Sequence, residues 1–548
     1  LASGYHYYLK KYLNSSISWT GDNLAQAQSA TTLPRVPHSV VKNRFTKWNW
    51  YFNTCTASYS TVWWDWEQWE HHIDWMAVRG INMPYMSVGQ EYIWTRTFLE
   101  FGVELKDFDP FYSGPAFLAW QRMGNFRGWA GPLTLNWMVD HYKLGKKIFD
   151  RMREFGMKPV LPAFAGHVPQ KFEIMYPEVT QSDSPLTHYF DRKYCCVRFL
   201  EPINPLFREI GTKFVNTLIE MFGPNDHLYL GDLYNEIYPS RNDLGYLHDV
   251  TTSMIKSLTD ADPDAVWVSQ AWLFHHERDF WQPAQLQAYL NAADDDRMIL
   301  LDMFNEVNNQ WSRTESFYGK PYIWCELLNF GGAQMMYGGM KAVMYEPYEA
   351  SKKSSMAGIG ITPEGLLTNE IMFDMMLNQA WMEGPEPIEL WVNNYIHSRY
   401  GRENENLQKA YKIFSKTVYG IHKKRMPKAK LTRRPNLAKW ASNYDHCELI
   451  DAWELFLEPA DEFKNIATYR FDLVDVTRQV LSDMFENWHG EMTDGYELTD
   501  RCKIEETRVK MLEMLRDLDD LLSTNEYFLF GRWIQDAEQW AHNDEELA

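Results

Sequence analysis

Eight short apolar runs, amphipathic segments between many of them, and a switch to purely helical patterning near residue 386 predict an α/β chain, a (β/α)8 barrel followed by a helical domain. The runs are residues 49–53, 81–88, 158–164, 228–232, 266–272, 298–303, 322–327 and 356–361. They are apolar on both faces, which suits parallel strands covered by helices. Eight strand–helix steps over roughly 340 residues fit a barrel with long loops. Residues 65–78 place Trp66, Trp69, Ile73 and Met76 on one stripe and stop at Gly80. Residues 136–155 do the same with Leu144, Ile148, Met152 and Phe155 before Gly156. Residues 207–222 follow with Ile210, Phe214, Leu218 and Phe222 before Gly223. Each glycine is expected in the left-handed cap conformation. The Trp-rich "WWDWEQW" reads as a core stripe first. Ahead of the barrel, "YHYYLKKYL" reads as a helix and "SISW" as a strand candidate. Behind it, "RFDLVDVTRQVLSDMFENW" and "TRVKMLEMLRDLDDLL" carry helical periodicity. The expected boundaries are 1–45, 46–385 and 386–548.

Composition excludes several function classes. The 548 residues suit two or three domains, and 45% apolar with 23% charged residues is ordinary for a globular chain. A formal net charge of −20 argues against holding nucleic acid through its phosphates, and against an anionic membrane surface. No apolar run of about 18 residues exists to span a bilayer. Six cysteines show neither a dense disulfide framework nor a zinc pattern, and neighbouring Cys195-Cys196 are poorly placed to pair with each other. His275-His276-Glu277 lacks the i, i+4 spacing of a zinc helix, and His167 stands alone. No dinucleotide, phosphate-loop or nucleophile-elbow motif is present. Neither a metal nor a cofactor is therefore expected. The 16% aromatic share, with 24 Trp, fills a large core or lines a groove for flat ligands such as sugar rings. No secretory signal is visible, while the sequon Asn14-Ser15-Ser16 is compatible with secretion.

The carboxylates carry the functional question. In "YLGDLYNEIYP", residues 229–239, an apolar strand delivers Asn235 and Glu236 to its C-terminal end. In "GIGITPEG", residues 358–365, a turn after the eighth strand presents Glu364. The C-terminal mouth is where barrel enzymes do chemistry. The fourth strand lies across that mouth from the eighth, so the two glutamates can face each other, as glycoside hydrolysis requires. Asp232, Asp302, Glu306 and Glu326 also lie near strand ends and Glu91 opens a loop, so each remains a rival; a single acid there is more often a loop cap or an ion-pair partner.

At this point longer motifs matter. "TASYSTVWWDWEQWEHHIDWMAVRGIN", "GPAFLAWQRMGN", "FGMKPVLPAFAGHVP", "LYNE", "QAWLF", "PYIWCELLNFGG" and "GITPEG" occur in this order. Together they resemble glycoside hydrolase family 89, the α-N-acetylglucosaminidases, over nearly the whole chain. The resemblance implies a small N-terminal α/β domain, here partial, then the barrel and an all-helical C-terminal domain. It implies an exo-acting, retaining enzyme for terminal α-linked N-acetylglucosamine, in animals chiefly from heparan sulfate. The partner implied is a glycan, the location lysosomal or secreted, and a homo-oligomer stays open. The family's acid/base falls on Glu236 and its nucleophile on Glu364. Its pocket residues fall on Asn53, Cys55, Trp120, Met123, Asn235, Trp272, Met303, Leu327 and Phe330. Met303 stands where Leu is usual, a mild swap. "SDSPLTHYF" lacks the family's Trp in the loop after the third strand, and the family's spaced Cys pair becomes Cys195-Cys196. Both ends read as cut, and the family's continuation carries a further Trp and Tyr of the sugar site.

Overall fold

The computed structural model describes residues 1–547 apart from 182–190, 192, 195, 196, 440 and 441. The departures expected at "SDSPLTHYF" and Cys195-Cys196 lie outside the described residues. Two compact units are resolved, one of residues 44–327, 349–364 and 540–548, the other of 1–43, 328–348 and 365–539.

The first unit holds the barrel. Its strands are β1 (Trp48–Tyr51), β2 (Met83–Pro84), β3 (Leu161–Pro162), β4 (Leu228–Leu230), β5 (Val266–Gln270), β6 (Met298–Asp302), β7 (Tyr322–Glu326) and β8 (Met356–Ile361). All eight fall within the predicted runs, give or take a residue. The order is β2-β1-β8-β7-β6-β5-β4-β3, with every pairing parallel. A parallel bridge between Tyr85 and Val160 closes the ring. There Val160 N–H donates to Pro84 O at 2.8 Å and Met86 N–H to Val160 O at 2.9 Å. Glycine is required on β8: a Cβ at Gly360 would stand 2.5 Å from Trp50 Cβ, so the bulky strand is β1 and the thin one β8.

The first predicted helix is Trp66–Arg79, capped by Asp65 and Gln68 in a capping box and stopped by Gly80 at φ 79°, ψ 21°. Leu135–Glu154 buries Leu144, Ile148 and Met152, but Phe155 lies beyond the helix end and is exposed under the Arg151 guanidinium, 4.5 Å away. Pro205–Phe222 ends at Gly223 with φ 83° but ψ −167°. That glycine therefore takes an extended positive-φ shape rather than the predicted left-handed cap. The sequence also gave no sign of a three-stranded antiparallel sheet of His167–Val168, Thr180–Gln181 and Arg198–Phe199. Two-residue strands are too short to show a period.

The second unit is helical. Its longest elements are Ala2–Tyr12, Ile388–Tyr400, His446–Leu457, Ala467–Glu497 and Arg501–Ser523. "SISW" forms no strand, only an isolated bridge between Ser16 and Asn23. Its side chains serve a buried polar hub instead. Ser18 Oγ–H donates to Glu370 at 2.8 Å, and Arg399 donates to Glu370 at 3.1 Å, Thr20 at 2.9 Å and Asp472 at 2.7 Å. No helix among the described residues is long and apolar enough to cross a membrane.

Candidate active site

The site is assembled from strand ends at one mouth of the barrel. Asn53 follows β1 and is used three ways. Its amide donates to Thr362 O at 3.2 Å, its Oδ1 accepts from Cys55 N–H at 2.9 Å, and its own N–H donates to Thr56 Oγ1 at 3.2 Å. Thr56 Oγ1–H in turn donates to Pro363 O at 2.6 Å. The loop after β1 thus clasps the turn that carries Glu364. Thr362 N–H completes that turn by donating to Glu326 O at 2.8 Å.

Glu236 reaches the same mouth after β4. Its backbone sits at φ 55°, a left-handed shape that costs a non-glycine residue about 1 kcal/mol and clusters at functional sites. Its carboxylate accepts from the Trp272 indole N–H at 3.1 Å and from the Asn125 amide at 3.4 Å. Cys55 follows Asn53 in the loop after β1 and is buried. Burial pushes its thiol well above the usual range, and the charges of Glu364 and then Glu236 push it further; the thiol also hydrogen-bonds Glu364. It therefore stays a neutral donor.

The other expected residues divide. Met303 follows β6 and Leu327 follows β7, both buried. Trp120 and Met123 come from the β2–β3 connection and are half-buried. The Trp120 ring meets Tyr59 edge-on at 5.2 Å and stacks on Phe126 at 6.1 Å. Asn235 is buried, yet its side chain makes no hydrogen bond with another described residue. Orienting the carboxylate falls to Asn125 instead, at the end of the quoted "GPAFLAWQRMGN". Phe330 belongs to the second unit, where the Arg425 guanidinium lies 3.7 Å from its ring centroid. Tyr59 was also missed. It sits in a π-helical turn, Ala57–Thr61, and burial followed by the charge of Glu364 raises its phenol. A π-turn often marks a functional site, but a five-residue one leaves no sequence period.

The rival carboxylates have structural employment. Asp302 accepts the backbone N–H groups of Gln310 and Trp311, each at 2.9 Å. Asp232 accepts Gln270 N–H at 2.8 Å. Burial lifts both to about 7. Glu91 is held by Arg122 at 2.7 and 3.0 Å. Glu306 accepts Leu327 N–H at 3.2 Å, and burial, then the charge of Glu306, raises the Glu326 carboxyl well above the usual range. Among the described residues no group of three or more His, Cys, Asp or Glu could hold a metal ion.

The family model described as the alpha-N-acetylglucosaminidase (NAGLU) tim-barrel domain matches residues 49–383, and that for the C-terminal domain matches 391–548. A human alpha-N-acetylglucosaminidase is 37% identical over 554 residues, spanning all of this chain and 74% of the human one. A family 89 glycoside hydrolase from Clostridium perfringens, in complex with 2-acetamido-1,2-dideoxynojirmycin, superposes with a TM-score of 0.91 at 30% identity. That match covers the whole of this chain and 62% of the clostridial one. The clostridial protein is also solved with two Glu→Gln changes, in complex with its substrate GlcNAc-alpha-1,4-galactose. Barrel and relatives together define a glycoside hydrolase. The chain belongs to the alpha-N-acetylglucosaminidase family.

Proposed function

We propose that this protein hydrolyses terminal α-linked N-acetylglucosamine with retention, Glu364 acting as nucleophile and Glu236 as acid/base. The observation that supports it best is that strand ends of one barrel mouth carry both carboxylates, Glu364 on the turn clasped by Asn53 and Thr56 and Glu236 met by Trp272 and Asn125. The substrate's stereochemistry dictates the rest. In an α-linked sugar the 2-acetamido oxygen cannot reach the anomeric carbon from behind the axial leaving group, so the enzyme must supply its own nucleophile. Glu364 attacks C1 while Glu236 gives its proton to the departing oxygen. Glu236 then takes a proton from water as that water displaces Glu364. Asn235, with an uncommitted amide, binds a polar substituent of the sugar. Trp120, Trp272, Met303 and Leu327 supply apolar faces. The domains that serve this reaction are taken as 1–45, 46–385 and 386–548, acting on a glycan in a lysosomal or secreted setting.

Proton NMR of the first-formed sugar tests the reading. Release of the α-anomer supports it, with carboxyl groups about 5–5.5 Å apart. Release of the β-anomer would require the wider inverting spacing of about 6.5–9.5 Å and would remove Glu364 from the nucleophile role. Hydrolysis of a β- but not an α-N-acetylglucosaminide would assign a different specificity.

A further inference from the structure

The run His275-His276-Glu277 lacks a zinc-helix spacing and has no part in the reaction above, yet it shares a helical turn with the Trp272 indole that meets Glu236. It occupies the end of the helical turn Trp272–His276 and the residue after it. The indole that donates to Glu236 belongs to the same turn, with ring centroids 4.8 Å from His275 and 6.2 Å from His276. His275 Nδ1 pairs with the Asn308 amide at 2.9 Å, which fixes the turn. His276 Nδ1 lies 2.6 Å from Glu277 Oε1. The His276 side chain is 36% exposed and that of Glu277 only 1%. Glu277 Oε2 has no hydrogen-bond partner among the described residues. A carboxylate so buried needs a cation beside it, and the His276 imidazole is the group placed to supply one. The charged groups facing His276 are Glu277 and Glu236. Those facing Glu277 are His276, Glu236 and Asp279, the last bonded by the Tyr238 hydroxyl at 3.2 Å. The hydrogen bond to Glu277 holds His276 above the usual imidazole range, and burial lifts Glu277 against the opposing pull of His276.

We propose that His276 and Glu277 form a compensated ion pair that sets the proton affinity of Glu236, the histidine favouring its carboxylate and the glutamate its acid. The inference rests on Glu236 being the acid/base. Double displacement needs both forms in turn, the acid for leaving-group departure and the carboxylate for water activation. Either charge alone would tilt Glu236 toward one step at the expense of the other. A neutral pair lets one residue serve both. His276 and Glu277 are positioning residues.

The test compares His276→Gln, Glu277→Gln and the double variant. The pH profiles of kcat and kcat/KM are measured with a dinitrophenyl α-N-acetylglucosaminide, whose first step needs no acid, and with an alkyl one, whose first step does. His276→Gln leaves a lone negative charge. It is expected to raise the Glu236-linked limbs of both profiles by about half to one pH unit. That corresponds to a three- to tenfold loss of kcat on the dinitrophenyl substrate at the acid limb. Glu277→Gln leaves His276 cationic below about pH 6.5, the ordinary imidazole value, and is expected to lower the limbs there. The double variant is expected to bring them back. Loss of rate without movement of the limbs, or movement of both single variants in the same direction, overturns the pair while leaving Glu236 in its role. Limbs that persist unchanged in Glu236→Gln overturn the acid/base reading itself, and the pair falls with it. NMR titration of His276 in the unaltered protein needs no variant to fold. An inflection above about 6.5 supports the pair, and one at or below that value overturns it.

Discussion

Glu236 and Asp302 both stand at the C-terminal end of a barrel strand, one after β4 and the other closing β6, and they differ in what holds them. Asp302 is bound by two backbone N–H groups at 2.9 Å and is 1% exposed. Glu236 is half-buried and, among the described residues, is met only by an indole at 3.1 Å and an amide at 3.4 Å. A carboxylate bound by the main chain fixes the path of a loop, and moving its proton disturbs the fold. A carboxylate met by side chains near solvent can exchange a proton with a ligand at little cost to the fold. Position at the barrel mouth is therefore a weak sign of chemistry, and the kind of donor is a stronger one.

The largest effect that could break this contrast comes from Glu364. Glu364→Gln is expected to cut turnover on the order of 10⁴-fold or more, whatever the leaving group. Normal hydrolysis of an aryl substrate by that variant would move the nucleophile elsewhere, with Asp302 next in line. Next comes Glu236→Gln. Hydrolysis of alkyl glycosides should fall about 10²- to 10⁴-fold, while a dinitrophenyl glycoside still gives a burst of phenolate. Equal losses on both substrates would contradict an acid role.

Asp302 should respond in the opposite currency. Asp302→Ala leaves two buried N–H groups without an acceptor, which costs about 2–5 kcal/mol of stability by thermal or urea unfolding. The pH limbs of the folded fraction should not move. Asp302→Asn sharpens this point. The fold raises the Asp302 pKa to about 7, so it favours the acid form. That contribution is full below the unfolded value of about 4 and is lost as the pH climbs through about 7. The asparagine variant should flatten the decline of stability over this window. It should not abolish the decline, because Asp232 carries the same sign. An unchanged slope would show that Asp302 is ionised in the fold. The smallest effect belongs to Trp272→Phe, which removes the indole donor from Glu236 and keeps the ring. A hydrogen bond to the charged form favours that form, so the Glu236-linked limbs should rise by a few tenths of a pH unit. A fall instead would mean the indole serves the protonated carboxyl.

The barrel was legible because its signals are long. Eight apolar runs and glycine-stopped helices each span several residues, and periodicity averages over them. Phe155 was misplaced because a stripe continues on paper past the point where the helix ends. Gly223 was misassigned because a stop signal carries no ψ. Of the residues proposed for the site, Glu236 and Glu364 stand out in the sequence as polar interruptions at strand ends, and the long motifs set them apart from Asp302. Asn125 and Tyr59 lie within those motifs, yet no spacing marks either. Nothing in the composition of "RMGN" or "TASYST" shows that one amide turns toward a glutamate 111 residues away, or that residues 57–61 form a π-turn whose Tyr59 meets Trp120 edge-on. Such choices are made by tertiary packing.

The clasp between the loop after β1 and the turn after β8 has a consequence for how the molecule comes into being. Asn53 bonds to Thr362 and Thr56 to Pro363, partners separated by 309 and 307 residues. Contacts so distant in sequence carry a large loop-closure cost and tend to form late. The turn bearing Glu364 has one support from the neighbouring strand, at Glu326 O, and its remaining clasp forms only when the first and last strands meet. Under the proposed mechanism, catalytic competence becomes a certificate of completed folding. A substitution that weakens pairing anywhere round the ring should lower the number of competent molecules and leave the rate of each survivor largely intact.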